Sequence, residues 1–165
     1  MLHDAATAEC LVYTFREGLL SAVGHDLCLR VERFAVEVTG EASTPAILGR
    51  FDAASLRATG NVSPSDARKI EGNAADDVLG ARRFPTIEFR STRVVRDGQR
   101  ARVEGTLALH GTTRPIAFDA VADERDWRAE VRLDQRDFGI KPFSAMLGTL
   151  RVRPEVSVHI RVPRA

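Results

Sequence analysis

The sequence predicts a mainly-β fold, an antiparallel barrel of about eight strands with one inserted α-helix, and three observations carry that prediction. First, Val103, Gly105, Leu107 and Leu109 alternate with Arg102, Glu104, Thr106 and Ala108, and Ile87 and Phe89 alternate with Thr86, Glu88 and Arg90. A period of two means one dry and one wet face of a sheet. Second, Asp97-Gly98 lies between these runs. Asp-Gly between alternating runs marks a tight hairpin, because glycine reaches positive φ without a Cβ clash. Third, the alternation returns at residues 127–133 and 156–162. A one-sided sheet this extensive has to curl on itself or stack on another sheet. If it curls, its apolar face becomes the wall of a cavity. A barrel of about eight strands is just wide enough to be filled by its own side chains or to hold one slim ligand, and pattern alone leaves both open.

Residues 8–15 read as the first strand, with Leu11, Tyr13 and Phe15 on the drier side and Cys10, Val12 and Thr14 on the wetter one. Gly18 marks a turn. Residues 23–31 form the second strand, apolar at Val23, Leu27, Leu29 and Val31, with His25 in the same row. At Glu32-Arg33 the phase changes and Phe34, Val36 and Val38 continue on even positions; one extra residue that keeps both halves pointing inward is what a β-bulge supplies. Residues 47–58 give a third strand, ambiguous in phase at Ala53-Ala54. The pattern then breaks. Ser63 suits an N-cap, Pro64 the first helical position, and Asp66 the first turn, where a carboxylate opposes the helix dipole. Ile70, Ala74 and Val78 fall on one face and Gly80 is a natural stop, so a helix is expected over 64–79. Gly72 in its middle costs roughly 1 kcal/mol against alanine and marks a place for a break. Strands follow at 86–95, 101–110, 115–122, 127–133 and 155–162, with a short helical turn at 143–147 before the last.

The 165 residues, 18.1 kDa, contain no internal repeat and no low-complexity linker, and are expected to form a single domain over 1–165. Hydrophobic residues at 44%, charged residues at 28% and a net charge of +1 are those of a soluble globular protein. The basic residues are nearly all arginine, interleaved with Glu and Asp rather than gathered in a one-signed stripe with stacking aromatics, which argues against a nucleic-acid partner. No segment has the apolar length to span a bilayer, and residues 1–7 lack a basic stretch followed by an apolar one, so the expected location is the cytoplasm. There Cys10 and Cys28 read as free thiols; placed on the same-parity face, they leave a cross-strand disulfide as the alternative.

Four stretches then combine: Gly24-His25-Asp26-Leu27; Arg83-Phe84-Pro85-Thr86-Ile87-Glu88-Phe89-Arg90-Ser91; Gly105 through Leu109 with His110-Gly111-Thr112-Thr113-Arg114-Pro115-Ile116; and Arg136-Asp137-Phe138-Gly139-Ile140. In this order the chain resembles the YceI family of lipid- or polyisoprenoid-binding domains. The resemblance implies an extended, lipocalin-like antiparallel barrel with a helix packed beside it. It also implies a non-catalytic carrier or store for a long isoprenoid or other amphiphilic lipid, and pairing as a homodimer. Two departures stand out: many members carry a signal peptide, and the Arg-Asp pair that often enters the helix is replaced here by Asp66-Ala67-Arg68.

The expected ligand-binding residues are His25, Leu27, Leu29, Phe34, Val36, Phe89, Gly105, Leu107, Leu109, Phe118, Ala129, Arg136 and Phe138. Leu27, Leu29, Phe34, Val36, Phe89, Leu107, Leu109 and Phe118, with Val158, should share one interior. Gly105, Ala129 and Ala120 are small inward residues that leave room for a ligand, though an inward glycine also marks a bulge. His25 reads either as a headgroup donor or as a buried histidine satisfied within the protein. Arg136, like Arg114, reads either as a rim partner for a pyrophosphate or carboxylate head or as a loop tie. His110 and His159 fall on wet faces, and the four histidines show no metal-ligand convergence. No metal, cofactor or catalytic residue is expected. Two other functions compete with the carrier: an enzyme acting on a similar lipid, which would need a cavity-facing nucleophile or base with a partner in reach, and a filled barrel serving dimerisation, hinted at by Cys10, Val12 and Thr14 on a covered outer surface.

Overall fold

Alternation dictates strands, and a computed structural model, describing residues 1–17, 26–145 and 150–164, shows where they bend. The strands are β1 (Leu2–Asp4), β2 (Glu9–Glu17), β3 (Leu27–Val31), β4 (Phe34–Glu41), β5 (Thr44–Asp52), β6 (Leu56–Ala58), β7 (Thr86–Asp97), β8 (Arg100–Leu109), β9 (Thr112–Ala122), β10 (Asp126–Asp134), β11 (Ser144–Ala145) and β12 (Leu150–Pro163). All their pairings are antiparallel. Twelve segments rather than eight is a correction of count, and its cause is kinking. β3 and β4 are the halves of one bent strand. On one side β3 pairs with β6 and β4 with β5; on the other, β3 pairs with β2 and β4 with β1. So β1–β2, β3–β4 and β5–β6 act as three bent strands. With β7, β8, β9, β10 and β12 they make eight, and β12 returns to pair with β2. The sheet curls into a barrel, and the two-residue β11 adds to β12.

The phase change at Glu32-Arg33 and the ambiguity at Ala53-Ala54 turn out to be one corner. The Glu32 amide donates to Ser55 O (3.0 Å) and the Asp52 amide to Arg33 O (2.9 Å), so the ladder continues across both kinks. Ser55, fully buried, locks the corner: its Oγ accepts from the Arg33 amide (3.1 Å) and donates to Asp52 O (2.8 Å). Arg33 Nε pairs with Asp52 Oδ2 at 2.8 Å, which holds that carboxyl below its usual range. Ser55→Ala leaves the part-buried Arg33 amide without its partner and removes the bond to Asp52 O, a loss of about 2 kcal/mol. A fall in Tm of roughly 4–8 °C in a thermal melt is the expected result.

Side chains on alternate positions face the interior: Leu29 and Val31 before the kink, Phe34 and Val36 after it, then Phe89, Val103, Leu107 and Leu109. β2 corrects one expected parity. Cys10, Val12 and Thr14 point inward, while Leu11 and Tyr13 lie on the outer surface. Both rows of that strand are largely apolar, so alternation carried no information there. The register Tyr13↔Cys28 puts Cys28 outside as well, so the two cysteines sit on opposite faces of the wall and are free thiols.

Between β6 and β7 the helix α1 (Pro64–Gly72) starts where expected, with Ser63 Oγ accepting from the Asp66 amide at 3.2 Å. It does not run on as an α-helix to Leu79. From Asn73 to Val78 the turn widens to π geometry, closed by the Leu79 amide on Ala74 O (2.9 Å) and the Ala81 amide on Ala75 O (2.8 Å). Gly72 stands at this change of winding, and Gly80 (φ 56°) ends it in a conformation that suits glycine. Glu71 Oε1 accepts from the Ala58 amide at 3.1 Å, tying the helix to β6. Of the helical turn expected at 143–147, residues 146–147 lie outside the described residues and Ser144–Ala145 is a strand; a 3-10 turn lies earlier, at Gln135–Phe138.

Candidate functional site

The inward rows do not meet at the barrel's centre. They leave a cavity of about 730 Å³, within the range of sites that bury small molecules. Its wall is overwhelmingly aliphatic and aromatic. Leu27, Leu29 and Val36 line it from the bent strand, Phe89 from β7, and Leu107 and Leu109 from β8. Phe118 and Ala129, from β9 and β10, complete the expected residues that border it. The fully inward Val103, 2% exposed, and Val158 join them.

Four expected site residues stand elsewhere. Phe34 is buried but packs against Phe51 (centroids 5.8 Å apart, planes at 19°) rather than bordering the cavity. Gly105 is inward but marks no gap: a Cβ there would lie 2.7 Å from the Phe89 ring and still closer to Arg90 O. Phe138, 2% exposed, is buried with Ile140 and Leu109 near the helical end of the barrel. Arg136 is exposed and grips Asp134 at two points, Nε to Oδ1 (3.0 Å) and Nη2 to Oδ2 (2.6 Å), holding that carboxyl below its usual range. Arg114 is equally engaged, its Nε donating to Asp137 O at 2.7 Å. These two arginines tie loops. His25 lies outside the described residues.

The helical segment supplies the contribution the sequence hid. Ile70, Ala74, Val78 and Leu79 roof one end of the cavity, with Asn73 as the polar exception. Their spacing was legible as an apolar helix face, but only tertiary placement shows what that face covers. At the opposite end the inward rows finish in Trp127, with the guanidinium carbons of Arg96 and Arg164 at 5.0 and 6.0 Å from its ring.

The described histidines are more buried than their strand parity implies. His3 is buried and borders the cavity; burial first, and the N-terminal ammonium second, push its imidazole below the usual range, so it is uncharged at neutral pH. His110 is half-buried, Nδ1 3.3 Å from Phe138 O, and His159 is half-buried on the outer face against Tyr13. Among the described residues no group of His, Cys, Asp or Glu could hold a metal ion. Cys10 also borders the cavity, and burial, helped by Glu9, pushes its thiol up to about 12. The thiolate is the reactive form. Iodoacetamide at pH 8 is therefore expected to leave Cys10 unmodified in the folded protein and to modify it after denaturation, read as a mass increment on its peptide.

Residues 24–163 match the YceI-like domain family. A UPF0312 protein of Vibrio cholerae is 32% identical over 114 residues, covering 58% of this chain and 60% of that protein, so the match spans about three fifths of the curated relative's length. The crystal structure of Burkholderia cenocepacia BcnA superposes with a TM-score of 0.76 at 14% identity, over 98% of this chain and 99% of that one. A polyisoprenoid binding domain from Saccharophagus degradans, implicated in plant cell wall breakdown, superposes at 0.63 with 15% identity, over 98% and 94%. At these identities the structural likeness speaks for the fold.

Proposed function

This chain belongs to the YceI-like domain family, and on that premise we propose that its barrel binds, to store or carry, a long-chain amphiphile such as a polyisoprenoid or another lipid, with the tail in the cavity and the polar head at the surface. The observation that carries the reading is the apolar cavity of about 730 Å³. A filled barrel would have no such space. Each buried CH₂ contributes roughly 0.8 kcal/mol, so a tail of a few isoprene units supplies ordinary affinity even after the cost of ordering it. Tail length is then selected by the roof at Leu79 and the far end at Trp127.

Binding without turnover fits the same residues. Acyl-transfer chemistry needs a hydroxyl or thiol whose base is in turn oriented by a third group. Among the described residues bordering the cavity, no hydroxyl or thiol hydrogen-bonds a histidine or carboxylate. A serine–histidine contact, Ser157 Oγ to His159 Nε2 at 3.0 Å, lies outside the cavity lining, and Glu130 holds the serine (3.2 Å) rather than orienting the histidine. No described helix is long and apolar enough to cross a membrane. Titration with a fluorescent isoprenoid alcohol tests the reading: saturable enhancement that unlabelled long-chain alcohol displaces supports it, and the absence of enhancement overturns it.

A further inference from the structure

The barrel wall is unevenly stitched. Ten residue pairs join β8 to β9 and nine join β10 to β12, but β9 and β10 share three, Trp127↔Ala122, Arg128↔Val121 and Ala129↔Ala120. Beyond Ala120 and Ala129 the strands part, leaving residues 112–119 and 130–134 without a ladder between them. Pro115 lies in that unpaired length of β9, and proline, with no N–H to donate, is tolerated at open edges. Along this seam the wall is one residue thick: Phe118, Ala129 and Val131 border both the cavity and a groove on the outer surface.

The part of the seam nearer the helical roof is filled by side chains instead of hydrogen bonds. Phe138 and Ile140, on and just after the 3-10 turn that follows β10, pack with Ile116 and Phe118 of β9 and Leu133 of β10. The turn is latched to β9 by Arg114 Nε on Asp137 O (2.7 Å), with the His110 ring 3.3 Å from Phe138 O. The roof of the cavity is tied to β6 through Glu71, and its far end is occupied by Trp127 and two arginines.

We propose that the β9–β10 seam is the portal through which a ligand's tail enters and leaves the barrel sideways, with the turn carrying Phe138 as its latch. Parting any other wall of the barrel would break between five and eleven ladder pairs, whereas parting the seam breaks three and otherwise only displaces packed side chains. Opening should follow the path that exposes the fewest unpaired backbone groups. A long apolar tail suits such a slit, because it can slide in along its length while the polar head stays in water.

This proposal rests on the binding reading, and the test separates the two. Ala117 and Arg132 face outward on either side of the seam, so A117C/R132C in a Cys28→Ser background can be joined by a short bismaleimide. R93C/E104C, joined in the same way across the nine-pair β7–β8 ladder, is the control. Stopped-flow uptake and release of cis-parinaric acid, a polyene fatty acid that fluoresces in apolar surroundings, is then measured with and without the link. Linking the seam is expected to slow both rates more than about tenfold with little change in affinity, since a gate alters the path and not the end states. Linking the control should change neither, and Arg114→Ala, which frees the latch, should speed both. Unchanged rates across the linked seam with binding intact would overturn the portal alone. An unlinked protein that takes up neither the fatty acid nor an isoprenoid alcohol would overturn the binding reading and the portal with it.

Discussion

Replacing Gly105 by leucine is expected to destabilise the barrel by about 3 kcal/mol or more, lowering Tm by roughly 6–12 °C. The glycine sits in the inward row of β8 between Val103 and Leu107, where alternation alone suggests vacant space beside a ligand. The structure shows close approach instead. Between Ser91 and Arg93 the β7 register slips, and Arg90 O and the Phe89 ring press onto Gly105, so even a Cβ meets backbone that has little freedom to move. Gly105→Ala should therefore already destabilise measurably. Circular-dichroism melts of both variants check this; a leucine variant as stable as the parent would mean that the interior is empty there after all.

Ala129→Phe is expected to do the opposite: to abolish most ligand affinity while the barrel melts near the parent temperature. Ala129 borders the cavity from β10, and a phenyl ring built there enters the space the tail would use. Displacing three or four methylenes of tail forfeits about 3 kcal/mol, or roughly a hundredfold in Kd. Melting and displacement titration on the same samples separate the two effects. Lost stability together with lost binding would mean the ring overpacks a full core; unchanged affinity would mean the tail lies elsewhere.

The contrast between these positions shows how far the sequence could be read. Period-two alternation identified the wall from Leu27 to Leu109, and the phase changes at Glu32-Arg33 and Ala53-Ala54 marked the two kinks of the Ser55 corner. What alternation could not convey was distance. An inward glycine pressed by its neighbour strand and an inward alanine facing open space look alike in one dimension. β2, apolar in both rows, gives no sign of which row is inside, which is why Cys10 and Val12 face the cavity from the row that reads as wet. Arg136 looked like a rim cation because its partner, Asp134, stands two residues away in sequence, where strand parity says nothing about a turn. The role of the helix face was hidden for a related reason: Ile70, Ala74 and Val78 declare an apolar stripe but not what it covers. The seam had one local signal, Pro115, which reads as an edge residue in what alternation treats as an interior strand.

The central claim is that the barrel is hollow and holds an apolar tail, and native mass spectrometry of protein purified without detergent tests it most directly. The expected spectrum shows the polypeptide carrying one adduct of lipid mass, or gaining one after incubation with a long-chain isoprenoid alcohol, and the Ala129→Phe protein showing neither. A folded parent protein that flies at its bare mass under both conditions would contradict the claim.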